Sequence, residues 1–226
     1  MFTLVAALTM PALASASTVT LTDYNVGNPN FVNNAAGGGA PFLATTTAGT
    51  AVGIADFITF CIEYNEHFSY GGTYTFVLSD SAVSGGIAGG NPDPVSDASK
   101  WLYYQVVSGD YSSTGMYTAA TGLGLSNDVG ADFQYAFWYL EEERTAAEIG
   151  GPSSAGYKLA AYALTHENWQ TLFKAGNRVY AMNLTDGAGG QSQDQLAYTK
   201  VPEPASLLLL GTGLLFLSRR IFGKRT

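Results

Sequence analysis

The chain has 226 residues, 46% of them hydrophobic and only 12% charged, with a net charge of −8. That is enough apolar material for one domain with a real core, under a surface of neutral polar residues and glycine. From Ser17 to Lys200 there are 17 acidic and 6 basic side chains, a net of −11, which excludes the cationic face that nucleic-acid binding requires.

Residues 1–16 read as an export signal. An apolar run, Phe2 and Leu4 to Leu8, is followed by Ala-Leu-Ala and Ala-Ser-Ala, with cleavage expected after Ala14 or Ala16. No Lys or Arg precedes the apolar run, which suggests that the true start lies upstream. Export implies an oxidising compartment, yet Cys61 is the single cysteine, so no disulfide forms within the chain.

The body, residues 17–200, opens with strand signals at Thr18 to Thr22, then a Gly-rich loop at Gly37 to Gly39. Ile54 to Tyr64 is the strongest predicted strand, rich in β-branched and aromatic residues. Thr73 to Leu78 alternates polar and apolar, as a half-buried strand does. Ser84 to Pro94 is a loop by its Gly, Asn and Pro content.

A helix-rich stretch of roughly Ser96 to Lys174 follows. Ser96 or Asp97 caps a helix reaching about Val107. Asn127 or Asp128 caps a second, through Phe137 to Glu143, and Gly150-Gly151-Pro152 ends it. A third runs from Ala155 to Lys174. Arg178 to Leu184 and Gln195 to Thr199 read as closing strands. The predicted class is α+β: an antiparallel β-sandwich or barrel-like body with a helical insertion, plus a short C-terminal transmembrane helix.

In residues 201–226, Pro202-Glu203-Pro204 precedes an apolar stretch from Ala205 to Leu217 and then Arg219-Arg220. Thirteen apolar residues fall short of the roughly 20 that span a bilayer comfortably, so the helix is a transient inner-membrane anchor. The basic residues after it suit a cytoplasmic flank. This order resembles the PEP-CTERM sorting signal of Gram-negative bacteria that make exopolysaccharide. The resemblance implies signal peptidase and an exosortase as partners during export, with Pro202, Glu203, Pro204, Arg219 and Arg220 as the sorting motif. It also implies a final location at the cell envelope, cell surface or extracellular matrix.

Two segments of the body stand out: Thr59-Phe60-Cys61-Ile62-Glu63 and Asp132-Phe133-Gln134-Tyr135-Ala136-Phe137-Trp138. They resemble the two motifs of bacterial thioester domains, an aromatic-Cys-apolar-acid strand and an apolar-Gln-x-Ala-apolar-Trp helix. The resemblance implies that the Cys61 thiol condenses with the Gln134 carboxamide, losing ammonia. The product is a single-use acyl donor for amines or hydroxyls on a surface or polysaccharide target, not a turning-over enzyme. The residues alone leave two alternatives open: a non-catalytic matrix or biofilm protein with a merely buried Cys61, and a carbohydrate-binding module.

Other patterns are weaker. Glu63, Glu66 and His67 are too irregularly spaced to name a metal site, so neither metal nor cofactor is expected. His166-Glu167 lacks the second histidine of a zinc-protease helix. Nothing in the spacing pairs Cys61 with His67 or His166 for a Cys-His hydrolase. Glu141-Glu142-Glu143 reads as a solvated helix end.

Overall fold

The computed structural model describes residues 17–24, 41–47, 56–83, 87, 90–166 and 177–200. The N-terminal export segment, the Gly37 to Gly39 loop and the C-terminal apolar helix lie outside the described residues, and so does the last part of the third predicted helix. Among the described residues no helix is long and apolar enough to cross a membrane.

Among the described residues eight strands and five helices follow in the order β1 (Thr18–Asp23), β2 (Phe42–Thr46), β3 (Asp56–Thr59), β4 (Thr73–Ser79), β5 (Ser81–Ala82) and β6 (Asp93–Pro94). Then come α1 (Asp97–Val107), α2 (Asp110–Ser113), α3 (Met116–Thr121), α4 (Val129–Leu140), α5 (Ala155–Thr165), β7 (Asn177–Thr185) and β8 (Gln191–Lys200). Six strands form one antiparallel sheet, ordered β3-β2-β1-β4-β7-β8. The helices are one insertion between the N-terminal strands and the closing hairpin, within the predicted stretch.

The sheet closes on itself. Leu196 N–H donates to Phe60 O at 2.9 Å and Ile62 N–H to Asp194 O at 3.0 Å, so residues 60–62, just beyond β3, pair with β8. Val19 and Leu21 of β1, Ala44, Phe57, Tyr74, Phe76, Met182, Leu184 and Ala197 then meet in one enclosed cluster. All six strands contribute to it, as the interior of a small barrel requires. The strand predicted over Ile54 to Tyr64 stops at Thr59, because β2, its partner up to Phe42, ends there. Beyond that point the chain changes partner.

The helices cover the outside of the closed sheet, where Phe60, Cys61 and Ile62 join Leu102, Tyr103, Phe133, Phe137 and Leu159 in a second cluster. Gly156 lets α5 lie close on α4, since a Cβ there would stand 2.7 Å from Tyr135 Cβ. The described part of the third predicted helix ends at Thr165, with His166 stacked on Tyr162 at 4.1 Å.

One expectation is corrected. The acidic triplet after α4 is not a solvated face: Glu141 and Glu143 are 6% and 2% exposed. Glu142 takes φ 63°, and this turn directs its two neighbours inward. There Glu141 accepts from Ser96 Oγ at 2.7 Å and from Ser96 N–H, while Glu143 accepts from the N–H groups of Tyr64 and Ile87, both at 2.8 Å. Buried carboxylates are tolerated when they bind otherwise orphaned donors.

Ser96 therefore has two tasks, capping α1 through Ser99 N–H at 3.1 Å and donating to Glu141. Replacing it by Ala should cost about 2 kcal/mol, the usual cap loss plus a buried acceptor short of a donor. Burial raises the Glu141 pKa above its ordinary 4.5, against the lowering effect of Ser99 and Ser96. Folding thus favours the protonated carboxyl, and the stability tied to it is present in acid and lost as pH rises through the raised value. Without Ser96 the carboxylate is less well held, so urea unfolding should show a larger loss for Ser96→Ala near neutral pH than at about pH 4. An equal loss at both would place Glu141 outside the effect.

Candidate functional site

The closing pair positions the cysteine. Cys61 and Gln195 are opposed across an antiparallel bridge, and the two ladder bonds beside it run from Leu196 to Phe60 and from Ile62 to Asp194. Cys61 and Gln195 are therefore a non-hydrogen-bonded pair, the geometry in which facing side chains come closest. Gln195 Nε2 lies 3.5 Å from Cys61 Sγ. Both residues are buried, at 0% and 1% exposed.

The same geometry turns the Cys61 N–H and C=O away from β8, toward α4. Gln134 answers both: its Oε1 accepts from Cys61 N–H at 3.0 Å and its Nε2 donates to Cys61 O at 2.8 Å. The carboxamide substitutes for a missing strand, supplying one acceptor and one donor in the plane of a peptide. Buried backbone groups require such partners. The structure thus brings Cys61 and Gln134 together, as expected, but through the backbone of the cysteine. The side chain beside the sulfur is Gln195, which the sequence reading missed.

Aromatic rings seal the site. Phe60 packs on Phe137 at 4.9 Å, with Phe133 and Tyr103 around it, and the Tyr103 hydroxyl donates to Ile58 O at 2.7 Å. Among the described residues Gln195 Oε1 has no hydrogen-bond partner, although it is buried. Tyr70 is 52% exposed, and partial burial, then the charge of Asp23, push its pKa up.

A bulge in β8 sets both Gln195 and its neighbour. Between Met182 and Leu184 the β7–β8 register slips, so Gln193 and Asp194 face one residue, Asn183. Such bulges re-aim side chains. Here the Asp194 carboxylate turns back to accept from Leu184 N–H at 3.1 Å and from Val83 N–H at 2.8 Å. It lies with Glu63 and Glu66, and one carboxylate oxygen from each of the three falls within 4.8 Å of the other two. Burial first, then the charges of Asp194 and Glu66, push Glu63 up to about 10, and burial pushes Asp194 up to about 7. His67 contributes to this region through its backbone oxygen, which accepts from Gln193 N–H at 3.2 Å. A separate cleft of about 430 Å³, lined in part by Tyr24, Tyr111 and Tyr198, does not include Cys61.

β8 runs to Lys200, so the closing strand leads directly into the tail. Residues 200–225 match the PEP-CTERM protein-sorting motif. The chain carries a PEP-CTERM sorting signal. The signal implies an exosortase as processing partner and export to the cell envelope or surface. The match does not extend into the body, and no curated protein and no solved structure matches the chain.

The two-point contact of Gln134 has a measurable consequence that is independent of any sulfur chemistry. Gln134→Leu keeps the bulk and strands a buried N–H and a buried C=O, which should cost about 2–5 kcal/mol. Chemical denaturation of the wild-type chain and the variant checks this; a loss under about 0.5 kcal/mol would mean the bonds carry no net stability.

Proposed function

We propose that this PEP-CTERM protein is a surface protein that attaches covalently through an internal thioester, formed by Cys61 and the carboxamide of Gln195, with Gln134 holding the cysteine backbone in place. The observation that carries the reading is the 3.5 Å approach of Gln195 Nε2 to Cys61 Sγ inside a closed, aromatic-lined pair. The thioester-domain resemblance assigned the acyl group to Gln134. Its two bonds to the Cys61 backbone suit it better to positioning, since conversion to an acyl group would remove the Nε2 that donates to Cys61 O.

The Cys61 sulfur adds to the Gln195 carboxamide carbon, the carbon–nitrogen bond breaks, and the thiol proton leaves with the nitrogen as ammonia. A thiol does not attack an unactivated amide in solution. Two groups fixed in opposed positions on a closed sheet gain an effective molarity that reaches about 10⁵ M or more in well-oriented cases. Exclusion of water protects the product from hydrolysis. A thioester oxygen is also a weaker acceptor than an amide oxygen, which suits the unpartnered Gln195 Oε1.

In the second step a target amine or hydroxyl adds to the acyl carbon and the Cys61 thiolate leaves, taking up a proton. The body is then joined to its target through residue 195. The reaction occurs once per chain, and sulfur held as a thioester is spared oxidation outside the cell.

Intact mass of the exported protein tests the reading. It should be one ammonia lighter than its sequence requires, and Cys61→Ala and Gln195→Ala should each restore the full mass. Methylamine should then add to the wild-type chain, with the label on the peptide containing Gln195 and a newly titratable thiol. Label on the Gln134 peptide would transfer the donor role to Gln134. A full mass with no methylamine uptake would remove the thioester altogether.

A further inference from the structure

Glu63 is 1% exposed, and among the described residues neither of its carboxylate oxygens accepts a hydrogen bond from any other residue. A buried carboxylate normally binds donors or a cation, since ionising it alone in an apolar interior is costly. One of its oxygens instead lies with one oxygen each of Glu66 and Asp194, the three within 4.8 Å of one another, with Glu143 near enough to raise Glu63 further. Among the described residues no Lys or Arg forms a salt bridge with any of the three.

The spacing matches one ion. Calcium takes oxygen ligands at about 2.3–2.6 Å, so two ligands across it stand about 5 Å apart at most. Each Asp194 oxygen accepts one backbone N–H, and Glu66 accepts from Asp194 N–H, which aims these carboxylates while leaving lone pairs for a metal. The set has no sulfur or imidazole ligand, which disfavours zinc. Three carboxylates converging from two segments suit calcium better than magnesium, which keeps most of its water.

We propose that Glu63, Glu66 and Asp194 form a calcium site that clamps the segment after β3 to the bulge of β8. The site is a second link between the strands that hold the Cys61–Gln195 pair: Glu63 is two residues from Cys61, and Asp194 adjoins Gln195. Gln193 reinforces the same junction by donating from Nε2 to Glu63 O at 2.7 Å. Calcium supplies the countercharge that no salt-bridging Lys or Arg gives these three carboxyl groups among the described residues, and the extracellular medium supplies the ion. The site stands whether or not the thioester forms.

The test is calorimetric titration of the full-length protein, stripped with chelator, with calcium chloride, alongside thermal unfolding in calcium and in chelator. One calcium per chain is expected, with a dissociation constant of about 10⁻⁴–10⁻³ M as in other extracellular modules, and a higher unfolding midpoint in calcium. Glu63→Gln should weaken binding at least tenfold and abolish the calcium-dependent shift, while Cys61→Ala should change neither. Because Asp194 also holds the bulge, the second variant is Glu66→Gln, which is less buried and should lower affinity in the same direction. No heat of binding and no midpoint shift with the wild-type chain would overturn the proposal. So would equal affinity in wild type, Glu63→Gln and Glu66→Gln, which would place the ion elsewhere.

Discussion

The pairing of residues 60–62 with 194–196 is the constraint on which the rest of the molecule depends. It closes a six-stranded sheet whose inner face would otherwise lie open at the β3 and β8 edges, and an open edge is both unsatisfied and prone to pair with other chains. Closure also fixes chemistry. An antiparallel pair without mutual hydrogen bonds brings the facing side chains together and points the backbone polar groups outward, so the sulfur meets Gln195 while the Cys61 peptide groups meet Gln134. Two glutamines thus serve one cysteine in different ways, and the hydrogen-bond pattern of the closing ladder separates their roles.

Buried polar groups cluster around this seam. Gln134, Gln195, Glu63, Asp194 and Glu143 are all nearly inaccessible, and most act on backbone groups that the irregular chain after β3 and around β5 leaves without ladder partners. The rule that buried backbone donors and acceptors must be matched accounts for Gln134, Glu143 and Asp194. It does not account for Glu63 or for Gln195 Oε1, which retain unmatched polar capacity at the seam among the described residues. Proteins violate local consistency mainly where something else is bound or made, and these two positions carry the calcium and thioester proposals.

Much of the fold was legible in the sequence. Thr73 to Leu78 alternates as a strand with one buried face, Ser96 stands where a helix cap belongs, and the Pro-Glu-Pro tail is specific enough to be matched directly. The Cys61 and Gln134 segments were also singled out, and they do meet. Gln195 was not legible as a partner, because its position depends on a register set 134 residues away and shifted by a bulge, and a one-residue slip would send it to the other face. The inward turn of Glu141 and Glu143 escaped for a similar reason: it depends on a positive φ at Glu142 that an acidic triplet does not advertise. The strand predicted through Tyr64 was cut short by a change of partner, which composition does not encode.

The most direct measurement is a crystal structure of the protein isolated from its producer, at a resolution that separates bonded from touching atoms around Cys61. The account predicts continuous density from Sγ to the side-chain carbonyl carbon of Gln195, with Gln134 still bonded to the N–H and C=O of Cys61. Density ending at a separate thiol beside an intact Gln195 carboxamide would contradict it.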